Sequence, residues 1–256
     1  MREANYIQLI RHATLILQLD GLRLMVDPML SAKEQLDPVP NCGDDRRFPL
    51  ADLPFGQPEL TALLNDADAV LVTHLHRDHW DVAAQQMIAH NKRIYCQPVD
   101  VPAILHQGFT DVVGVEEISS WNGWRITRTG GQHGTGEIGQ KMGPVSGFVL
   151  SRGGTRIYLA GDTIWCDPVA LALSTHQPTH IVLNTGGARF LVGDPITMTA
   201  SDVARVVKEA PGAKVTAVHM DTVNHCFLTR KLLREQLSEM KIDVAIPLDG
   251  EKIMIG

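Results

Sequence analysis

Short apolar runs alternate with polar turns along the whole chain, and they predict β-strands. Each run is rich in β-branched or aliphatic residues. The predicted strands are Tyr6–Ile10, Thr14–Leu19, Leu22–Val26, Ala69–Thr73, Arg93–Cys96, Trp124–Thr129, Gly147–Ser151, Thr155–Ala160, His180–Asn184, Lys214–Val218 and Val244–Pro247. The first three follow one another through tight turns such as Asp20-Gly21, which indicates an antiparallel start.

Apolar residues at helical spacing lie between the later strands. The predicted helices are Asp81–His90, Val99–Gln107, Thr199–Ala210 and Leu228–Met240. Strands that alternate with helices predict an α/β protein, and the antiparallel start is compatible with two layers of sheet. Because 44% of the 256 residues are hydrophobic, the chain is long enough to bury one large core, and we expect a single domain over residues 1–256.

One stretch departs from this periodicity. From Asp27 to about Glu59 the chain is rich in Pro, Asp and Arg and has no regular apolar spacing. A long irregular segment inside a domain is often a functional lid. We therefore expect a lid at residues 28–60, with a disordered excursion as the alternative.

Composition and charge exclude several classes of protein. The net charge of −6 offers no basic face for a nucleic acid, so no nucleic-acid partner is expected. The four cysteines are scattered and form no Cys-x-x-Cys pair, which indicates reduced thiols. No apolar run reaches membrane-spanning length and the first residues do not resemble a signal peptide, so we expect a cytoplasmic protein without a membrane span. Whether it forms a homo-oligomer stays open.

The strongest chemical signal is the run His74-Leu75-His76-Arg77-Asp78-His79, which follows an apolar strand. Neutral imidazole and carboxylate are the usual ligands of zinc-like cations. Residues two apart on an extended chain face the same side, so His74 and His76 can hold one ion together. If the chain then turns into a helix, Asp78 and His79 point to a neighbouring position. The spacing suits two ions better than one, and a polar loop without metal is the alternative.

Three further candidate ligands stand in the same relation to other predicted strands. His133, Asp162 and His219 each lie just beyond the end of a strand. Binding crevices of α/β proteins lie at the carboxyl ends of strands. The shared placement favours one common metal site over unrelated loop histidines.

The whole set resembles the complete ligand pattern of the metallo-β-lactamase superfamily in order and approximate spacing. Its members are His74, His76, Asp78, His79, His133, Asp162 and His219. The resemblance implies an αββα sandwich, in which two mixed β-sheets are flanked by helices, and a binuclear metal-dependent hydrolase. It assigns the first ion to His74, His76 and His133. It assigns the second ion to Asp78, His79 and His219. Asp162 would bridge the two ions.

The N-terminal segment Leu9–Leu15, followed by Asp20-Gly21-Leu22-Arg23 and Val26-Asp27-Pro28, narrows the resemblance. It is similar to the branch that includes ascorbate-6-phosphate lactonase and the N-acyl-phosphatidylethanolamine phospholipase D type enzymes, in which an equivalent of His12 approaches the metal centre. The pieces Arg46–Leu50 and Leu53-Pro54 look like the lid of that branch.

Two divalent cations that share a carboxylate lower the pKa of a bridging water far enough to leave hydroxide near neutral pH. We expect this hydroxide to attack a small, anionic, ester-like substrate, either a lactone or a phosphodiester. Asp78 is expected to orient the hydroxide and to pass a proton to the leaving group. His12 is expected to give the substrate a hydrogen bond or a proton, with a loop histidine that caps nearby backbone as the alternative.

Three arginines are candidates for holding the anionic group of the substrate, because guanidinium matches carboxylate and phosphate geometry. They are Arg46, Arg47 and Arg189. Ordinary solvated surface charge is the alternative for each of them.

The same ligand types leave the metal and the class of activity open. Zinc and manganese both fit, and iron is compatible. An iron-dependent, oxygenase-like redox enzyme and a non-catalytic metal-binding protein are therefore the alternatives to a hydrolase.

Overall fold

Two mixed β-sheets face each other in this protein, and helices cover their outer faces. The computed structural model describes residues 4–255. The strands within that range are β1 (Tyr6–Arg11), β2 (Thr14–Leu19), β3 (Leu22–Val26), β4 (Ala69–Val72), β5 (Arg93–Cys96), β6 (Val112–Gly114), β7 (Ile118–Trp121), β8 (Trp124–Gly130), β9 (Ser146–Arg152), β10 (Thr155–Leu159), β11 (His180–Asn184), β12 (Lys214–Val218) and β13 (Lys252–Met254).

The helices lie between the strands along the chain. They are α1 (Gln57–Asp66), α2 (Val82–Met87), α3 (Val101–His106), α4 (Gly136–Met142), α5 (Asp167–His176), α6 (Ala200–Glu209) and α7 (Arg230–Glu239), with a 3₁₀ turn at Pro98–Asp100. Every helix in residues 4–255 is too short or too polar to cross a lipid bilayer.

The two sheets are built differently. The first has the strand order β13-β1-β2-β3-β4-β5-β6; its early strands pair antiparallel, and β3 to β6 pair parallel. The second has the order β12-β11-β10-β9-β8-β7, with parallel pairing only from β10 to β12. The predicted α/β class and αββα sandwich are confirmed.

The main core lies between the sheets. Leu17 and Leu24 of the first sheet pack in one buried cluster with Trp124, Phe148 and Leu150 of the second. The outer face of the first sheet is covered by residues of α1, α2 and α3, and that of the second by residues of α5, α6 and α7. Burial of apolar surface in three layers leaves the sheet ends free to carry polar groups.

Some predicted elements differ from the structure. Val244–Pro247 is not a strand, because Ala245 makes only an isolated bridge to Thr216. The final strand is instead β13, which pairs with β1. The predicted helices at Asp81–His90 and Val99–Gln107 are shorter than expected, since Asp81 caps α2 and the latter region begins with the 3₁₀ turn.

The irregular segment at residues 28–60, which we call the lid segment, contains no strand; its last residues begin α1. Arg11 fixes the segment at both ends. Its guanidinium is fully buried and donates to the carbonyl oxygens of Met29, Ser31 and Ala51 at 2.8–3.0 Å. Asn224 holds the middle, since its side chain accepts from the N–H of Val39 at 2.9 Å and donates to the Val39 carbonyl at 3.0 Å.

Candidate metal centre

The candidate ligands lie where strands of both sheets end. Within the first sheet, β1, β3 and β4 run parallel to one another. Within the second sheet, β8, β10 and β12 run parallel to one another. Six buried polar residues follow these strands, and they are His12, Asp27, His74, His133, Asp162 and His219. The carboxyl ends of strands thus supply the site, as the sequence predicts.

Three of these positions have backbone conformations that non-glycine residues rarely adopt. The φ angles are 59° at His12, 44° at Asp27 and 74° at His219. Each such residue costs on the order of 1–3 kcal/mol, so the surrounding packing must hold it in place. The turns aim these side chains inward to one point, and such strain is concentrated at functional sites.

The first group of donor atoms consists of His74, His76 and His133. All of their ligand atoms lie within 4.8 Å of one another, and Nε2 of His74 is 3.0 Å from Nδ1 of His76. Nδ1 of His133 donates to the carbonyl oxygen of Ile196 at 2.8 Å. That bond leaves Nε2 of His133 unprotonated and free to bind a cation.

The second group consists of Asp78, His79, His219 and His12. Oδ2 of Asp78 lies 3.7 Å from Nε2 of His79 and 3.6 Å from Nε2 of His219. The two Nε2 atoms are themselves 3.2 Å apart. Nε2 of His12 is 3.1 Å from the same carboxylate oxygen.

Asp162 lies between the two groups. Its Oδ2 is 3.3 Å from Nε2 of His79 and 3.6 Å from Nε2 of His133. Its Oδ1 is 3.2 Å from Nε2 of His219 and accepts a hydrogen bond from Asn184 at 2.7 Å. A carboxylate in this position can reach a cation in either group.

Asp27 connects the two groups through hydrogen bonds on the side away from the ligand atoms. Its Oδ2 accepts from Nδ1 of His79 and from the Thr73 hydroxyl, both at 2.8 Å, and its Oδ1 accepts from the Thr73 N–H at 2.7 Å. Because the Thr73 hydroxyl proton is used by Asp27, its oxygen accepts from Nδ1 of His74 at 3.0 Å. One buried carboxylate thereby sets the tautomer of an imidazole in each group.

The donor set fits divalent cations. Two ligands bound to one zinc-sized ion at about 2.1 Å stand about 3.4 Å apart at a tetrahedral angle. The separations of His79 from His219 and from Asp162, 3.2 and 3.3 Å, match that value. The outer nitrogens of His79 and His219 already face Asp27 and the Cys226 thiol, so both Nε2 lone pairs point inward. Buried lone pairs that face each other require a proton or a cation between them.

Burial keeps part of the cluster neutral. It lowers the pKa of His12 to about 3 and that of His133 to about 4. Burial, helped by the neighbouring His79, also lowers the pKa of His74 far below its usual value. Neutral imidazole is the form that binds metal ions, so His74 and His133 are ready for a cation at pH 7.

Two imidazoles of the second group, those of His79 and His219, hold protons. Burial alone would lower the pKa of His79, but the charges of Asp162, Asp78 and Asp27 raise it to about 10. Asp162 and Cys226 likewise outweigh burial at His219 and raise its pKa well above the usual value. Burial raises the pKa of both carboxyl groups, Asp78 and Asp162, but their histidine neighbours hold it well below the usual range. A cation that binds here must displace protons.

A cavity of about 310 Å³ opens onto the donor cluster and includes His76, Asp78, His133 and Asp162 in its wall. Much of the remaining wall is apolar. These residues are Val39, Pro40, Met142, Phe190 and Ile196. Val39 and Pro40 belong to the lid segment, so part of the cavity wall comes from the region predicted as a lid.

The structure does not bring the three predicted anion-binding arginines into this wall. Arg46 pairs with Asp44, and Arg47 pairs with Asp37 and with lid carbonyls. The guanidinium of Arg189 stacks on the ring of Phe227 at 5.2 Å. Each predicted contact to an anionic substrate therefore lacks support from the cavity geometry, because the guanidinium is engaged elsewhere.

His12 lies beside the second group of donor atoms and outside the cavity wall. It is fully buried against Asp78 and His219, with ring centroids of the two imidazoles 3.6 Å apart, and it is not part of the cavity wall. His12 therefore belongs to the donor cluster. Because it is outside the cavity wall, the geometry does not support direct contact between His12 and a substrate in the cavity.

Sequence reasoning missed two residues of the site. Asp27 immediately follows β3, so the strand-end rule that selected His133 could have found it. His225 lines the cavity, and no spacing rule points to it because it lies in a loop after His219.

Comparisons with known proteins agree with this geometry. Residues 23–220 match the family model described as a beta-lactamase superfamily domain. The UPF0173 protein YddR of Bacillus subtilis strain 168 is 34% identical over 248 residues, which are 94% of this chain and 96% of that protein.

Two solved structures are also similar over nearly their whole length. A possible metal-dependent hydrolase from Veillonella parvula DSM 2008 superimposes with a TM-score of 0.94 at 35% identity, covering 99% of this chain and 100% of that one. An isothiocyanate hydrolase from Delia radicum gut bacteria gives a TM-score of 0.91 at 37% identity, covering 98% and 99%. The chain belongs to the metallo-β-lactamase superfamily and, within it, to the UPF0173 family.

Proposed function

We propose that this protein is a binuclear metal-dependent hydrolase that acts on a small, largely apolar electrophile, with isothiocyanates as the first candidate substrates. One observation carries the proposal: two adjoining groups of buried metal donors open into a small cavity with a mostly apolar wall. The names of the similar Veillonella protein and of the isothiocyanate hydrolase support the same class of activity.

In this proposal His74, His76 and His133 would hold one ion, while Asp78, His79 and His219 would hold the other. Asp162 lies within 3.6 Å of ligand atoms in both groups and would be a ligand to both ions. When bound, two divalent cations supply a Lewis acid and a deprotonated water as nucleophile. Zinc and manganese suit these ligands, and iron is compatible.

The chain's own residues then position the reactants. Asp78 reaches the cavity, and its histidine neighbours hold its pKa well below the usual range, so it is an ionised hydrogen-bond acceptor that can orient a nucleophilic water. Asp27 and Thr73 keep His74 and His79 fixed through hydrogen bonds to one ring nitrogen of each.

The cavity wall favours a neutral substrate over a phosphodiester. The arginines that would compensate an anion lie elsewhere, and the guanidinium of Arg77 donates to the carbonyl of Pro38 and stacks on Phe48. An anion would therefore be desolvated against apolar groups, with only Arg77 and His225 of the wall, besides the ions, to compensate its charge. An isothiocyanate, R–N=C=S, is neutral and exposes an electrophilic carbon.

Hydrolysis of an isothiocyanate balances without a redox partner. Water adds across the C=N bond to give a thiocarbamic acid, R–NH–C(=O)–SH. That product breaks its C–N bond and releases the amine R–NH₂ and carbonyl sulfide. The protein needs to supply no oxidant and no covalent nucleophile.

A lactone is the second candidate. The position of His12, 3.1 Å from Asp78, agrees with the expected feature of the lactonase-containing branch, and a neutral cyclic ester also suits the apolar wall. The lid segment would select between the two electrophiles, since Val39 and Pro40 form part of the cavity wall.

Metal analysis together with a substrate panel tests the proposal. We expect about two ions of zinc or manganese per chain by mass spectrometry, turnover of ethyl or phenyl isothiocyanate, and weak or no turnover of bis-p-nitrophenyl phosphate. Asp78→Ala should abolish turnover. One iron per chain, with oxygen consumption and no hydrolysis, would instead support the redox alternative and overturn the proposal. Full binding of metal without any turnover would support a non-catalytic protein.

A further inference from the structure

The cavity wall contains two polar side chains, Arg77 and His225, in addition to the proposed metal ligands. The guanidinium of Arg77 is held by the lid segment, through the carbonyl of Pro38 at 3.0 Å and the ring of Phe48 at 4.8 Å. His225 makes no such connection to the lid.

The imidazole of His225 is buried and incompletely bonded. The residue is 7% exposed, and its Nδ1 has no hydrogen-bond partner within residues 4–255. A buried ring nitrogen without a partner costs free energy, and such a group in a folded protein calls for a water, an ion or a ligand. Nδ1 itself has almost no accessible surface, and another part of His225 lines the cavity where a substrate would lie.

The backbone of His225 is held in place, and its ring lies beside an aromatic neighbour. The backbone carbonyl of His225 accepts from the N–H of Arg189 at 3.0 Å, and the ring lies 6.2 Å from that of Phe190 between centroids. Burial would lower the pKa of His225, but the adjacent Cys226 outweighs it and raises the pKa above the usual value. An imidazole carries at least one ring N–H whether it is neutral or protonated, so a donor is present at neutral pH in either state.

We infer that His225 is a catalytic residue whose ring N–H donates a hydrogen bond to the substrate atom on which negative charge develops, away from the metal ions. In an isothiocyanate that atom is the nitrogen or sulfur that receives the electron pair when the carbon is attacked. A fixed donor in an apolar wall stabilises such charge strongly, because little water competes with it. The inference rests on the proposed function and adds the group that recognises the far end of the electrophile.

Two substitutions separate this role from a packing role. His225→Phe keeps a ring beside Phe190 but has no N–H, whereas His225→Gln keeps a donor without the ring. His180→Phe is the matched control, because His180 is also a nearly buried histidine with an unpartnered ring nitrogen and lies at the start of β11, outside the cavity wall.

The experiment measures kcat, KM and metal content of the full chain with ethyl isothiocyanate. We expect His225→Phe to lower kcat by about 10²–10³-fold with little change in KM and with both ions retained. His225→Gln should keep more of kcat than His225→Phe, and His180→Phe should match the wild type.

Other outcomes overturn the inference. Wild-type kcat in His225→Phe, an equal loss of kcat in His225→Phe and His225→Gln, or loss of metal in both variants would each contradict it. The proposed function fails separately: the wild-type protein would bind two ions and turn over neither isothiocyanates nor lactones, and the inference would fall with it.

Discussion

Asp27 accepts a hydrogen bond from Nδ1 of His79 at 2.8 Å, and through Thr73 it also orients His74. One side chain outside the proposed ligand set therefore controls ligands of both proposed ions. Partners of this kind fix the imidazole tautomer and raise its basicity. Asp27 is 2% exposed, so water cannot easily replace it.

Substitution of Asp27 tests this control. We expect Asp27→Ala to weaken metal binding by about 10–100-fold, measured by titration against a competing chelator. Asp20→Ala is the control, because Asp20 is a surface aspartate whose φ of 53° resembles that of Asp27. Unchanged metal affinity in Asp27→Ala would show that His79 and His74 do not need this carboxylate.

Substitution of Asp162 tests the proposed bridge. Removal of a carboxylate that faces both groups should lower the metal content of Asp162→Ala from two ions per chain to about one or fewer. Asn184→Ala removes only the 2.7 Å hydrogen bond to Asp162 and should have a smaller effect. Metal content is measured by mass spectrometry after gel filtration. Two tightly bound ions in Asp162→Ala would contradict the bridging role.

Metal binding should release protons and strengthen as pH rises. The pKa of His79 is raised to about 10 and that of His219 is also raised, so both imidazoles are protonated at pH 7 in the metal-free protein. A cation must displace these protons, and each unit of acidification makes that harder. Calorimetric titration in two buffers of different ionisation enthalpy measures the protons released. No proton release at pH 7 would contradict this protonation state.

The hydrogen bonds between Asn224 and the lid segment should contribute both to the stability of the protein and to substrate binding. Asn224→Ala leaves the backbone N–H and carbonyl of Val39 without these partners, which costs about 1–3 kcal/mol of unfolding free energy. Because Val39 lines the cavity, KM should rise. The surface substitution Asn91→Ala is the control for both measurements. A stable Asn224→Ala variant with wild-type KM would show that the lid segment is held by other contacts.

The sequence was sufficient to predict the class, the two-layer arrangement and the strands that supply the ligands. Those predictions rest on local patterns: apolar runs define the strands, and polar residues directly after them define the site. The elements that escaped prediction are β6, β7, β13, α1, α4 and α5. Among them, β13 has only three residues and α5 carries little apolar periodicity.

Side-chain partnerships could not be predicted from the sequence. Nothing in the pattern tells that Arg46 is occupied by the nearby Asp44, or that Arg189 stacks on Phe227. Likewise, the burial of His12 depends on how the β1–β2 turn meets the second sheet. The stacking of Arg189 and the burial of His12 depend on tertiary contacts between distant segments, whereas the ligand run lies in six consecutive residues.

The donor atoms come from opposite layers of the sandwich, with His74 and His76 following β4 of one sheet and Asp162 and His219 following strands of the other. Bound ions would therefore cross-link the two layers in addition to taking part in catalysis. Ligands that bind only the folded state add about 2.7 kcal/mol at a hundredfold excess over Kd. The thermal stability of the protein would then depend on the concentration of free metal, and a chelator would lower the Tm of the wild-type protein.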